Sequence, residues 1–116
     1  MIRTAGQMTK ETREHMRGGQ GSVEFTHVFS AAELEPKARL FARVRLAPGS
    51  SIGFHRHEGE EEIFYILSGR GLVDDDGVKQ EVGPGDAIRT GGGAGHAVEA
   101  LGGQPLEMVA VILKGR

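Results

Sequence analysis

The chain has 116 residues, a formal net charge of -2, five histidines and no cysteine. That length fits one domain with a core of its own. The missing cysteines exclude disulfides and thiolate metal sites, and they suit a reducing cytoplasm, where we expect the protein.

No basic block points to nucleic acid or to an anionic membrane as a partner. The longest apolar runs, about six residues, fall far below the ~20 needed to cross a bilayer. The opening "MIRTAGQMTKETREHMRGGQG" has no apolar centre and is not expected to act as a signal peptide. Glycine is over-used, with 19 residues at about twice the usual ~7%. These glycines sit between short apolar runs, as in an all-β chain with many tight turns.

Residues 1–22 read as an N-terminal arm, polar and extended, with a short helix over "TKETREHMR" as the alternative. Its "GGQG" lacks the lysine and Ser/Thr of a phosphate loop, and His15 is expected to be solvated. "VEFTHVF", residues 23–29, places Val23, Phe25, His27 and Phe29 on one face of a strand. His27 is expected to be a core or subunit-interface histidine rather than a ligand. Ser30 can cap one helical turn that Pro36 ends.

"ARLFARVRL" sends Leu40, Ala42, Val44 and Leu46 to one face and Phe41, Arg43 and Arg45 to the other. "SIGFHRH" is short and extended. "EIFYILS" is apolar on both faces and predicts a strand covered on both sides. "RGLVDDDGVKQEV" is a hairpin around Asp75, Asp76 and Gly77, with the aspartates serving the turn rather than calcium. "DAIRT", "HAVEAL" and "LEMVAVIL" complete eight or nine short strands, the spacing of a sandwich or barrel.

The chemistry-bearing residues follow from the same period. On a strand, residues two apart project to the same side, so His55 and His57 point together and Arg56 points away. Glu62 opens the next strand on the face of Phe64 and Ile66, and His96 opens a later one on the face of Val98 and Ala100. Three imidazoles and one carboxylate form a mixed nitrogen and oxygen set with two positions left over. Such a set suits Mn, Fe, Co or Ni, and Zn or Cu can also take it.

"GSSIGFHRHEGEEEIFYILSG" resembles the first motif of the cupin superfamily through Gly49, His55, His57, Glu62 and Gly69. "GDAIRTGGGAGH" resembles the second through Gly85, Gly93 and His96. It departs at Gly91, where proline is usual, and at Ala100, where asparagine is usual. The resemblance covers residues 40–113 and implies a double-stranded β-helix, or jelly-roll barrel, over 23–116.

It implies one divalent transition metal (Mn, Fe, Ni, Co or Zn) on His55, His57, Glu62 and His96. By the same resemblance Glu62 is the ligand and the candidate catalytic base, while Glu58, Glu60 and Glu61 are solvated turn charges. It implies dioxygenase, decarboxylase, lyase or isomerase chemistry on a small carboxylate or enolisable metabolite. The alternative is a non-enzymatic module that binds or senses a metal or metabolite. Small cupins commonly form homodimers, and the face of Phe41, Arg43 and Arg45 is the candidate surface.

Overall fold

The computed structural model describes residues 1–115. Ten strands follow one another: β1 Thr9–Glu14, β2 Ser22–Phe29, β3 Ala38–Leu46, β4 Ser51–Arg56, β5 Glu60–Ser68, β6 Arg70–Asp75, β7 Val78–Val82, β8 Ala87–Gly91, β9 Gly95–Leu101 and β10 Leu106–Lys114. The one α-helical turn, α1 at Ala31–Leu34, is capped by the Ser30 side chain, which accepts from the Glu33 N–H.

The strands form two antiparallel sheets, a jelly-roll arrangement. The larger has the order β1-β2-β3-β10-β5-β8 and the smaller β4-β9-β6-β7. Strict alternation builds the core between them. Ala42, Val44 and Leu46 on β3, Phe64 and Ile66 on β5, and Met108 and Ala110 on β10 meet Ile52, Val73 and Val98 from the smaller sheet. Each large side chain buried this way contributes about 1.5–3 kcal/mol.

Two expectations change. The arm is extended, as read, but it is an ordered part of the sheet: Thr9–Glu14 is the edge strand β1, paired antiparallel with β2 so that Glu11 faces Phe25 and Arg13 faces Val23, and no α-helix, the alternative, forms over "TKETREHMR". A nine-residue helix is too short to stand alone in water, whereas the open edge of β2 offers a ladder of unpaired backbone groups. The charges of β1 also suit an edge, where they discourage pairing with another chain. This strand brings the total to ten.

The second correction concerns β5. Its inner face is buried, but Tyr65 and Leu67 are 49% and 37% exposed. The smaller sheet covers one face of the larger, and nothing among the described residues covers the other around these two side chains.

Candidate metal centre

His55 lies on β4, His57 follows it, Glu62 is on β5 and His96 is on β9. β4 and β9 pair with His55 directly opposite His96. Two of the histidines therefore come from neighbouring strands of the smaller sheet, and the glutamate reaches in from the larger one. The backbone of His57 is clamped by the glycine loop before β9: its N–H donates to the Ala94 carbonyl, and its carbonyl accepts from Gly93. Gly93 adopts φ +89, a conformation that favours glycine.

One atom from each residue converges. Nε2 of His96 lies 3.2 Å from Nε2 of His57 and 3.1 Å from Nε2 of His55. Glu62 Oε1 lies 3.0 Å from His57 Nε2, 3.1 Å from His96 Nε2 and 4.0 Å from His55 Nε2. Ligands about 2.1 Å from one ion stand about 3.0 Å apart at right angles and about 4.2 Å apart when opposite. The four right-angle contacts and the longer His55–Glu62 separation fit that pattern.

The outer nitrogens fix the rings. His55 Nδ1–H donates to the Gly53 carbonyl at 2.8 Å, and His57 Nδ1–H donates to Glu60 Oε2 at 2.6 Å. His96 Nδ1 is 2.9 Å from Thr90 Oγ1, and Thr90 is the cross-strand partner of Glu62. Phe64 stacks on the His96 ring at 4.9 Å. With Nδ1 of His55 and His57 acting as donors, their Nε2 atoms present lone pairs towards each other and towards a carboxylate. Such a convergence calls for a cation, and the His55, His57, Glu62 and His96 group could hold one metal ion.

The electrostatics agree. Contact with Glu62 raises the His57 pKa against the opposing effect of burial, with Glu60 adding to it. Burial lowers that of His55. For Glu62, burial favours the neutral acid, but the contacts to His57 and His96 outweigh it and hold the carboxyl below its ordinary value. Glu60 is pushed down to about 2, first by Arg39, whose guanidinium forks onto it at 2.7 and 2.8 Å.

The group opens onto a cavity of about 280 Å³. Its apolar lining includes Leu40, Val44, Ile52 and Phe64, and its polar lining includes Glu11, Arg13, Arg17, His27 and Arg39. His27 is not among the four converging residues. It is half-buried, stacks on Phe25 and contacts Glu11 at 2.6 Å. The expectation that Glu58, Glu60 and Glu61 are solvated holds for Glu58 alone. Glu60 orients His57, and Glu61 pairs with Arg89 at 2.9 Å.

Thr90, Arg39 and the residues of the arm carried no signal in the sequence. Polar side chains on an apparent lead-in look like any surface. For Glu60, the spacing of three residues from His57 across a turn was the available hint.

Two antiparallel sheets enclosing three histidines and one glutamate define a small jelly-roll protein of the metal-site type. The chain belongs to the cupin family: the family model described as the cupin domain matches residues 42–112. An oxalate-binding protein of Thermotoga maritima is 45% identical over 113 residues, covering 97% of this chain and 93% of that protein. The crystal structure of a predicted oxalate decarboxylase from Thermotoga maritima is similar with a TM-score of 0.92 at 45% identity, covering 98% of this chain and 99% of the other. The polyketide cyclase RemF of Streptomyces resistomycificus has the same fold, with a TM-score of 0.76 at 21% identity over 98% of this chain and 79% of its own.

Proposed function

We propose that this cupin binds one divalent transition metal through His55, His57, Glu62 and His96 and takes a small dicarboxylate of the oxalate class at that ion. The observation that carries the reading is the convergence of four ligand atoms, from a group of which His55, His57 and Glu62 line a cavity of about 280 Å³. The names of the two Thermotoga maritima relatives support the ligand class.

A metal held by His55, His57, Glu62 and His96 would supply Lewis-acid binding of carboxylate oxygens. Leu40, Val44, Ile52 and Phe64 keep water from the ligand, and Thr90, Glu60 and the Gly53 carbonyl hold the three rings in place. The activity we favour is cleavage of the carbon–carbon bond of the oxalate dianion, with uptake of one proton, into carbon dioxide and formate, the proton ending on the formate carbon. Glu62 is the acid–base candidate for that transfer. A binding module without turnover is the second reading, and it rests on the name of the oxalate-binding relative.

We further place the protein in the cytoplasm as a homodimer. The outer face of Phe41, Arg43 and Arg45, extended by the exposed Tyr65 and Leu67, would meet a second copy. No helix among the described residues is long and apolar enough to cross a membrane.

Elemental analysis of protein purified without a chelating tag should return about one transition-metal ion per chain. Protein that stays metal-free after reloading sinks the reading. Labelled oxalate incubated with Mn-loaded protein should yield formate; tight binding without formate favours the binding module. Sedimentation at several concentrations tests the dimer.

A further inference from the structure

The arm builds part of the cavity. Glu11, Arg13, Met16 and Arg17, from β1 and the turn after it, line the same space as His55, His57 and Glu62, three of the four converging residues. The charges on this wall sort into pairs with one left over. Glu11 accepts from Arg13 at 3.0 Å and contacts His27 at 2.6 Å. Arg39 is committed to Glu60, and Glu62 faces the imidazoles. Of the three lining arginines, Arg17 alone has no carboxylate partner among the described residues.

Its backbone is held in an uncommon state. Arg17 has φ 55 and ψ 31, in the left-handed region, between His15 at φ 50 and Gly18 at φ 80. A bulky residue there is strained and persists only where its surroundings enforce it. Here two backbone approaches enforce it. A Cβ on Gly53 would sit 2.0 Å from the Arg17 carbonyl oxygen, and one on Gly19 would sit 2.1 Å from that of Ser51. The N–H of Ser51 also donates to the Gln20 carbonyl. Gly53 is the residue whose carbonyl accepts from His55 Nδ1. One glycine therefore seats Arg17 on β4 and orients a candidate metal ligand two residues on.

We propose that Arg17 binds the ligand directly, as the cationic partner for the negative charge of a dicarboxylate that the metal leaves uncompensated. The inference rests on the proposed function. A divalent ion with the Glu62 carboxylate carries one net positive charge, and a dicarboxylate dianion carries two negative ones. One more cation closes the balance, and guanidinium matches a carboxylate with two parallel hydrogen bonds.

The test compares oxalate and acetate binding by calorimetry in Mn-loaded wild type, Arg17→Gln and Arg17→Gly, with a thermal melt of each. Both substitutions should weaken oxalate about 10- to 100-fold and leave acetate and metal affinity nearly unchanged. Glycine takes positive φ freely, so Arg17→Gly should melt at or above wild type while losing oxalate affinity, a combination that a structural role for the side chain does not produce.

Wild type that binds oxalate, with variants that bind it equally well, overturns the role of Arg17 alone. Variants that lose oxalate and acetate equally overturn it too, since the cavity itself has then changed. Wild type that takes the metal but no dicarboxylate overturns the proposed function, and Arg17 with it.

Discussion

The candidate metal centre and the arm wall line one cavity by different means. At the centre every ring has a second partner: Gly53 for His55, Glu60 for His57, Thr90 for His96. His57, Glu62 and His96 are buried, Glu62 and His96 on strands that pair on both edges and His57 just after β4, the edge strand of the smaller sheet. The wall is an exposed edge strand and a turn, where β1 has no buried residue and Arg17 is held through its main chain. The buried region fixes side chains by hydrogen bonds and packing. The outer region fixes its backbone, pairs Glu11 with Arg13 and His27, and leaves Arg17 without a carboxylate partner among the described residues. On the proposed function, the difference separates the work of holding an ion from that of choosing what binds to it.

Substitutions should break that division unequally. His57→Ala should reduce metal content from about one ion per chain to near zero. With metal at 100 times its Kd the wild type gains about 2.7 kcal/mol, so the variant should lose a metal-dependent melting shift of roughly 10 °C. An unchanged shift places the ion elsewhere.

Leu46→Ala removes a fully buried side chain and should cost about 2–5 kcal/mol in denaturant unfolding. Glu11→Gln on the arm, by contrast, should cost less than about 1 kcal/mol. Equal losses would mean that the arm is as much a part of the core as β3.

Glu60→Gln touches no converging atom but weakens the partner of His57 Nδ1, and should lower metal affinity about 10- to 100-fold in competition with a chelator. A change under twofold assigns Glu60 to surface pairing with Arg39 alone.

The smallest effect is at Arg3, whose guanidinium forks onto Glu33 at 2.6 and 2.8 Å. That contact first, and the Ser30 N–H second, pull Glu33 from 4.5 to about 2. A depressed folded pKa means that the contribution is complete above pH 4.5 and fades as pH falls through 2. The denaturant midpoints of wild type and Arg3→Gln should therefore differ slightly at pH 7 and converge near pH 2. A gap that persists there places the effect elsewhere, for example in the stacking of Arg3 on Phe29.

Much of this was legible in the sequence because strand geometry is local. Alternation along "ARLFARVRL" assigned Ala42, Val44 and Leu46 to the core, and the same period brought His55 and His57 to one side. "EIFYILS" misled because apolar content cannot say whether a second layer exists; Tyr65 and Leu67 face outward from a sheet covered on one face. "TKETREHMR" read as extended but not as a strand, because its pairing depends on the open edge of β2, where His27 lies sixteen residues from Glu11 along the chain.

The sequence by itself determined an all-β chain, since strand alternation is local, and its resemblance to the two cupin motifs pointed to the four residues that converge. Only the tertiary structure decided that Glu60 orients His57 and that Thr90 fixes His96. It alone placed a polar arm in the cavity wall with an arginine unpaired among the described residues. Those facts depend on which strands become neighbours, and that is settled by burying the apolar faces of the whole chain at once.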